Sequence, residues 1–155
     1  MAVAVVLSAC ATATPEGVHT HAAAPAPAAA SRPVDAALLS GLPRLAVQAT
    51  IHGETHTYEG PALIDVAAAI TPFEQPVRGA ALGTVVTVTA RDGYRVSFGL
   101  AELDAATTGR AIILADTVDG SLIGAEDGPY RVIVEGDLRG ARQARMVERI
   151  EVIQP

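Results

Sequence analysis

The strongest concentration of positive charge lies in the last quarter of the chain. Five arginines there face three acids, an excess of two positive charges in a chain whose formal net charge is −6. The arginines are Arg131, Arg139, Arg142, Arg145 and Arg149, and the acids are Glu135, Asp137 and Glu148. Arginine suits bidentate contact with phosphate, sulfate and carboxylate groups. The pattern indicates either an anion-binding surface or a solvated face whose ion pairs contribute little.

Three of these arginines are the best candidates for an anion site. If residues 138–147 form a helix, Arg142 and Arg145 are three residues apart and project from one face. Arg131 follows the turn Gly128-Pro129 at the start of a predicted buried strand, so its guanidinium can reach the same opening. We therefore expect Arg131, Arg142 and Arg145 to converge on one cleft that binds an anion.

A second candidate group surrounds a predicted hairpin turn at Asp92-Gly93. Arg91, Asp92 and Tyr94 would bind a ligand if the tip of this hairpin lines a pocket. The alternative for Asp92 is the ordinary role of an aspartate before glycine, which is to cap the turn with its side chain. Glu102 is expected at the start of a short helix, where its charge suits the positive end of the helix dipole.

Other arrangements that carry chemistry are weak or absent in this sequence. His52 and His56 flank a predicted turn with Glu54 between them, but a metal site needs a third ligand from elsewhere, so we expect a solvated turn. No serine lies in a Gly-x-Ser-x-Gly motif. A phosphate loop ending in Gly-Lys needs lysine, and the chain has none. No catalytic residue and no metal site are predicted.

Length and composition set the broad class of protein. A chain of 155 residues suits one domain. The net charge of −6 argues against a nucleic-acid partner. All eleven basic residues are arginine, a bias more typical of genomic base composition than of function. The single cysteine, Cys10, excludes a disulfide within the chain and a metal site built from several cysteines.

The start of the chain resembles a bacterial lipoprotein leader. Leu7-Ser8-Ala9-Cys10 is similar to a lipobox, in which the cysteine is lipidated and becomes the mature N-terminus. The resemblance implies that residues 1–10 are a signal segment and that the protein is extracytoplasmic, anchored by lipid to the periplasmic side of a bacterial membrane. No basic residue precedes Arg32, so the true start codon is expected upstream. The alternative is a chance match in an alanine-rich segment.

The next segment, residues 11–40, is rich in alanine and proline and is predicted to be a disordered tether. Its prolines block a continuous helix, and it has no periodic apolar face to bury. His19 and His21 lie within it, but two ligands on an extended segment make no closed metal site.

Residues 41–155 have the hydropathy pattern of an α+β domain. We predict a mostly antiparallel, barrel-like sheet of about six or seven strands with two or three short helices. Alternation of apolar and polar residues or β-branched runs indicate strands over residues 45–51, 55–58, 84–90, 94–98, 111–115, 130–135 and 147–153. A helix is predicted from Gly60-Pro61 to Ile70, because apolar residues recur there at helical spacing and Thr71-Pro72 ends the pattern. A helical turn is expected over residues 100–104.

Several motifs in this domain occur in the order in which a known family carries them. They are Tyr58-Glu59-Gly60-Pro61-Ala62-Leu63-Ile64-Asp65, Asp92-Gly93-Tyr94, Leu100-Ala101-Glu102-Leu103, Leu114-Ala115, Asp119-Gly120 and Gly128-Pro129-Tyr130-Arg131. In this order the chain resembles the oxidoreductase molybdopterin-binding domain, the catalytic fold of sulfite-oxidase-like enzymes, in its short stand-alone form. The resemblance covers about residues 45–153.

The departures from that family bear on chemistry. The enzymes hold molybdenum through a cysteine thiolate of this domain, whereas here the only cysteine is Cys10, and neither a carboxylate nor a hydroxyl replaces a soft thiolate well. The family's later tryptophan is also missing. The resemblance therefore implies a domain that binds an anion or molybdopterin without molybdenum redox chemistry. Two alternatives remain: a molybdenum oxidoreductase or its accessory subunit, with a redox partner protein, and an interaction module that has lost the cofactor.

Overall fold

The computed structural model describes residues 26–155. Ten strands, four short helices and two 3-10 turns make up this part of the chain. The strands are β1 (Ala28–Pro33), β2 (Arg44–Ile51), β3 (Glu54–Pro61), β4 (Val85–Ala90), β5 (Arg95–Gly99), β6 (Ile112–Ala115), β7 (Thr117–Val118), β8 (Ser121–Leu122), β9 (Arg131–Val134) and β10 (Val147–Gln154). The helices are α1 (Ala36–Leu39), α2 (Leu63–Ile70), α3 (Leu100–Leu103) and α4 (Ala105–Thr108), and the 3-10 turns are Gly79–Gly83 and Gly140–Arg142.

The strands form three sheets, and every strand pair in the described residues is antiparallel. One sheet has the order β1-β10-β4-β5, the second has β2-β3-β7-β8, and β6 pairs with β9 alone. The predicted α+β class with mostly antiparallel strands is confirmed. The expected barrel-like closure is not seen within residues 26–155, because the strands divide among three separate sheets.

The small sheet β6–β9 separates two apolar cores. All eight of its residues are buried, and they alternate between the cores along each strand. Leu114 and Val132 pack into the larger core, between α2, α3 and the sheet that contains β4 and β10. Ile113 and Ile133 face the smaller core, beneath β2 and β3. This arrangement explains why both strands read as continuous apolar runs rather than as an alternating pattern.

Helix α2 begins later than the sequence predicts. Pro61 is the last residue of β3, Ala62 caps the helix, and Leu63 is its first residue. The predicted apolar stripe is correct, since Leu63 and Val66 are fully buried. The helix ends before Thr71, whose backbone N–H donates to the carbonyl of Ala67.

Strand β1 lies in the segment that the sequence assigned to a disordered tether. Residues 28–33 pair with β10 over their whole length, from Ala28 opposite Gln154 to Pro33 opposite Arg149. This segment has no apolar face to bury, but an edge strand is held by backbone hydrogen bonds and leaves its side chains mostly exposed. Residues 34–40 are also ordered and include α1. Cys10 and the pair His19 and His21 lie outside the described residues.

Gly60 marks the place where β3 crosses β6 at backbone contact. A Cβ atom on Gly60 would lie 2.1 Å from the carbonyl oxygen of Leu114 and 2.7 Å from Cα of Ala115. Two residues later, Ala62 forms an isolated bridge with Ile113. The second sheet and the central pair β6–β9 are therefore joined by a contact that only glycine permits.

We predict that Gly60→Ala destabilises the protein by roughly 3 kcal/mol, because the added methyl group must displace the backbone of β6. The matched control is Gly124→Ala, where a Cβ would meet no atom within 4 Å. That variant should change the free energy of unfolding by at most about 0.5 kcal/mol. Chemical denaturation of both variants measures the difference, and equal stabilities would show that β3 does not approach β6 this closely.

Candidate functional site

The described residues form an open cleft of about 1020 Å³. One wall consists of β2 and the turn that joins it to β3, and the other consists of the segment between β9 and β10. His56, Tyr58 and Arg131 line the cleft from the side of the smaller core. Two of the arginines singled out in the sequence, Arg131 and Arg145, lie in its wall.

A single carboxylate binds both of these arginines. Nη1 of Arg131 donates to Oδ2 of Asp127 at 2.8 Å, and Nη1 of Arg145 donates to Oδ1 of the same residue at 3.0 Å. The Arg131 side chain is only 8% exposed, whereas that of Arg145 is 55% exposed. Two guanidinium groups therefore share one carboxylate, and the lining of the cleft also includes the carboxylates of Glu54 and of Asp137, the latter bound to Arg142.

Local structure explains why Arg131 points into the cleft. It is the first residue of β9, and because side chains alternate along a strand it lies on the same side as Ile133, toward the smaller core. Its guanidinium carbon lies 5.9 Å from the ring centroid of Tyr58, a cation–π contact. The expected position of Arg131 at the start of a buried strand is confirmed.

The turn before β9 places Asp127 opposite these arginines. The backbone N–H of Gly128 donates to the carbonyl of Gly124 at 2.8 Å, and the N–H of Met146 donates to the carbonyl of Asp127 at 2.9 Å. A Cβ on Gly128 would lie 2.8 Å from the carbonyl oxygen of Ile123, so the turn also requires glycine here. The turn is thus tied directly to the segment that carries Arg145.

Two buried polar atoms in the cleft wall have no hydrogen-bond partner within the described residues. They are Nε of Arg131 and Oε1 of Gln143. Gln143 is only 4% exposed and also lines the cleft. Buried polar groups are nearly always paired, so a donor and an acceptor left over beside one cavity distinguish this wall from an ordinary surface.

A histidine–aspartate pair lies at the side of the cleft. Nδ1 of His56 lies 2.6 Å from Oδ2 of Asp119, and Oδ1 of Asp119 accepts the backbone N–H of Thr57 at 2.9 Å. The hydrogen bond to Asp119 raises the pKa of His56, and the nearby Glu54 adds to the effect. The Thr57 N–H, followed by His56, lowers the pKa of Asp119. His56 therefore stays protonated to a higher pH than a free histidine, which adds positive charge beside the cleft.

The sequence did not predict this pair. It placed His56 in a solvated turn with His52 and Glu54, whereas the observed turn residues are His52 and Gly53, both with positive φ. Asp119 is 63 positions away along the chain and arrives because β3 pairs with β7. Within residues 26–155, no group of three or more histidine, cysteine, aspartate or glutamate side chains is arranged to hold a metal.

The predicted convergence of three arginines is wrong for Arg142. The only helical element in residues 138–147 is the 3-10 turn Gly140–Arg142, so Arg142 and Arg145 do not share a helix face. Arg142 makes a bidentate contact with Asp137, with distances of 3.0 and 2.7 Å, and also binds Glu102. These hydrogen bonds raise its pKa above the ordinary arginine value, that to Asp137 most. Its guanidinium lies over the ring of Phe98. Arg142 therefore stabilises the fold and does not line the cleft.

The three candidate residues at the hairpin make contacts that stabilise the fold, and two of them also line a neighbouring depression. Asp92 Oδ1 accepts the backbone N–H of Tyr94 at 2.9 Å, so Asp92 caps the turn. The Tyr94 hydroxyl donates to the carbonyl of Ala141, which ties the hairpin to the segment that carries Arg145. Asp92, Tyr94 and Arg145 line a depression of about 190 Å³. The backbone N–H of Arg91 donates to the carbonyl of Met146, and Arg91 lines neither cavity.

No protein-family model matches the chain, and no curated protein shows significant similarity to it. Among the described helices, none has the length and apolar character needed to cross a membrane. The residues of the cleft are therefore the basis on which a function can be argued.

We predict that Asp127→Asn lowers the free energy of unfolding by about 3 kcal/mol, because it leaves the buried Arg131 without a counter-charge. The matched control is Asp116→Asn. Asp116 binds Arg44 through two hydrogen bonds, but that arginine side chain is 47% exposed. We expect Asp116→Asn to lower the free energy of unfolding by about 1 kcal/mol or less. Urea denaturation compares the two variants, and equal losses would contradict a special role for the Arg131–Asp127 pair.

Proposed function

We propose that the folded part is a binding domain that takes an anionic ligand in the cleft. The observation that carries this proposal is the pair of positively charged guanidinium groups at Asp127, because the buried Nε of Arg131 has no hydrogen-bond partner within the described residues and Arg145 lies beside it. Arg145 is more than half exposed, so it has guanidinium donors free for a ligand. A phosphate, sulfate or carboxylate group matches both this charge and the geometry of guanidinium donors.

Two further features support the binding of an anionic ligand in the cleft. His56, held by Asp119, supplies additional positive charge as the pH falls, so affinity for an anion should be higher in acid. Tyr58 is buried beneath Arg131, and its cation–π contact holds that guanidinium in place at the cleft.

The resemblance to molybdopterin-binding domains suggests a phosphorylated pterin as one such anion. The α+β fold is compatible with that family, and the arginines suit the phosphate. The donors present do not suit the metal, because no cysteine occurs after Cys10 and the nearby oxygen donors are hard ligands. The proposal is therefore for binding without molybdenum chemistry, and no redox step is assigned to any residue of this chain.

We expect Arg145→Gln to weaken anion binding by about ten- to a hundredfold, the loss for one charge-assisted hydrogen bond, with little change in thermal stability. Calorimetric titration with a pterin phosphate, inorganic phosphate and sulfate measures the affinity. The matched control is Arg139→Gln, since Arg139 is an exposed arginine of the same segment that does not line the cleft.

Two outcomes would count against this proposal. If no probe binds to the wild type below millimolar concentration, the cleft is not an anion site, and a protein-interaction module becomes the better explanation. If Arg139→Gln weakens binding as much as Arg145→Gln does, the effect is a general one of net charge and not one of the cleft.

The proposal also places the domain on a lipoprotein. Its support is the string Leu7-Ser8-Ala9-Cys10, followed by the alanine- and proline-rich residues before β1. In this proposal Cys10 carries the lipid, and the domain works outside the cytoplasm, on the periplasmic side of a membrane.

Metabolic labelling with radioactive palmitate tests the anchor. The gene expressed with its upstream region should give a labelled, membrane-associated protein, and Cys10→Ser should abolish the label, because the lipidated sulfur is then absent. Ala9→Gly serves as the control, since it keeps a small residue beside the cysteine. An unlabelled wild-type protein would refute the lipoprotein assignment and would leave the proposed anion site unaffected.

A further inference from the structure

One long edge of the second sheet is open. Strand β2 pairs with β3 and with no other strand of the described residues. The turn His52-Gly53 has two residues with positive φ, as in a type I′ hairpin, so Ile51 and Glu54 form the first hydrogen-bonded pair. From this pair onward, hydrogen-bonded and non-hydrogen-bonded pairs alternate along the two strands. Thr50 and Gln48 belong to non-hydrogen-bonded pairs, so their backbone N–H and C=O groups point away from β3.

This open edge borders the cleft. Four consecutive residues of β2, at positions 48–51, line the cavity. Side chains alternate between the two faces of a strand, so four residues in a row can line one cavity only where the edge of the strand faces it. The unpaired backbone groups of Gln48 and Thr50 are therefore available to a ligand in the cleft.

Most of the edge of β2 lacks the usual protection. Its first residue is Arg44, but from Leu45 to Ile51 it contains no charged residue and no proline. Edge strands are commonly blocked by such residues, and β1 has both, Arg32 and Pro33. A long uncharged edge of this kind is a template for the backbone of another extended segment.

The positive charge lies toward one end of this edge. The guanidinium of Arg131 lies over Tyr58, and Tyr58 is directly opposite Val47 in the β2–β3 register. The charge is therefore next to the Val47 end, and the hairpin turn at His52 is at the other end. A segment that runs antiparallel to β2 would start near the turn and finish with its carboxyl end beside Arg131 and Arg145.

We propose that the anion bound in the cleft is the C-terminal carboxylate of an extended peptide that adds to β2 as an antiparallel strand. This inference rests on the proposed function, because it uses the same anion site, and it names the ligand class. The exposed guanidinium of Arg145 and the unpaired Nε of Arg131 are donors that suit a carboxylate. Positions 48–51 span about 13 Å at the usual rise per residue, so about four peptide residues occupy the edge. Leu138, which is fully exposed on the opposite wall, offers an apolar contact to their side chains.

The test uses the pentapeptide Ala-Val-Thr-Val-Ala, with a fluorescent label on its N-terminal amine, in three comparisons. The free acid should bind about ten- to a hundredfold more tightly than the C-terminal amide, because only the acid offers the charged acceptor. Arg145→Gln should largely remove that difference. Two peptides N-methylated at alternate residues should also differ, since in an added strand only one set of N–H groups faces β2.

A pair of protein variants tests the edge itself. Thr50→Pro removes an N–H that points into the cleft and is tolerated at an edge position, whereas the control Thr50→Val keeps that N–H. Both variants lose the hydroxyl contact with Thr55, so their stabilities are comparable in that respect. Peptide binding should fall about tenfold or more in Thr50→Pro and stay within about threefold of wild type in Thr50→Val.

The outcomes separate this inference from the function on which it rests. If phosphate or a pterin phosphate binds through Arg145 but the peptide binds no better than acetate, the peptide inference fails and the anion site stands. Equal affinities for the two methylated peptides would also overturn strand addition. If neither the simple anions nor the peptide acid binds, both the inference and the proposed function fail.

Discussion

The carboxylate of Asp127 is the interaction on which the cleft depends. It neutralises Arg131, a side chain so buried that its charge would otherwise be strongly destabilising, and it also binds Arg145. Through these contacts one residue links the turn before β9, the start of that strand and the segment that leads into β10. Because one carboxylate serves two guanidinium groups, the same interaction that permits burial of Arg131 also holds Arg145 in the wall of the cleft.

The position of this charge follows from the two cores. The central pair β6–β9 sends alternate side chains to opposite sides, and the larger core on one side contains most of the buried apolar residues. Arg131 faces the smaller core, where Tyr58 and the edge strand β2 form the wall of the cleft. The cleft thereby lies on the side of the smaller core, and the larger core supplies most of the apolar burial that stabilises the domain.

Several residues of the family-like motifs have structural reasons to be where they are. Gly60 permits the backbone contact with β6, Gly128 permits the turn before β9, and Asp92 caps a hairpin. Tyr58 and Arg131 are motif residues that pack in the fold and also line the cleft. A resemblance based on such residues therefore bears mainly on the fold, and the ligand must be inferred from the cleft itself.

The sequence by itself determined the elements whose pattern is local. Strand β2, the hairpin β4–β5 and the apolar stripe of α2 all follow from the periodicity of adjacent residues, and the structure confirms each of them. The position of Arg131 at the start of a buried strand could also be read from its neighbours. Only the tertiary structure decided where charges meet: Asp119 reaches His56 and Glu102 reaches Arg142 across long stretches of chain. Residues 28–33 likewise form a strand because they pair with β10. The sequence could not predict this strand, since backbone pairing between distant segments leaves no periodic pattern in either one.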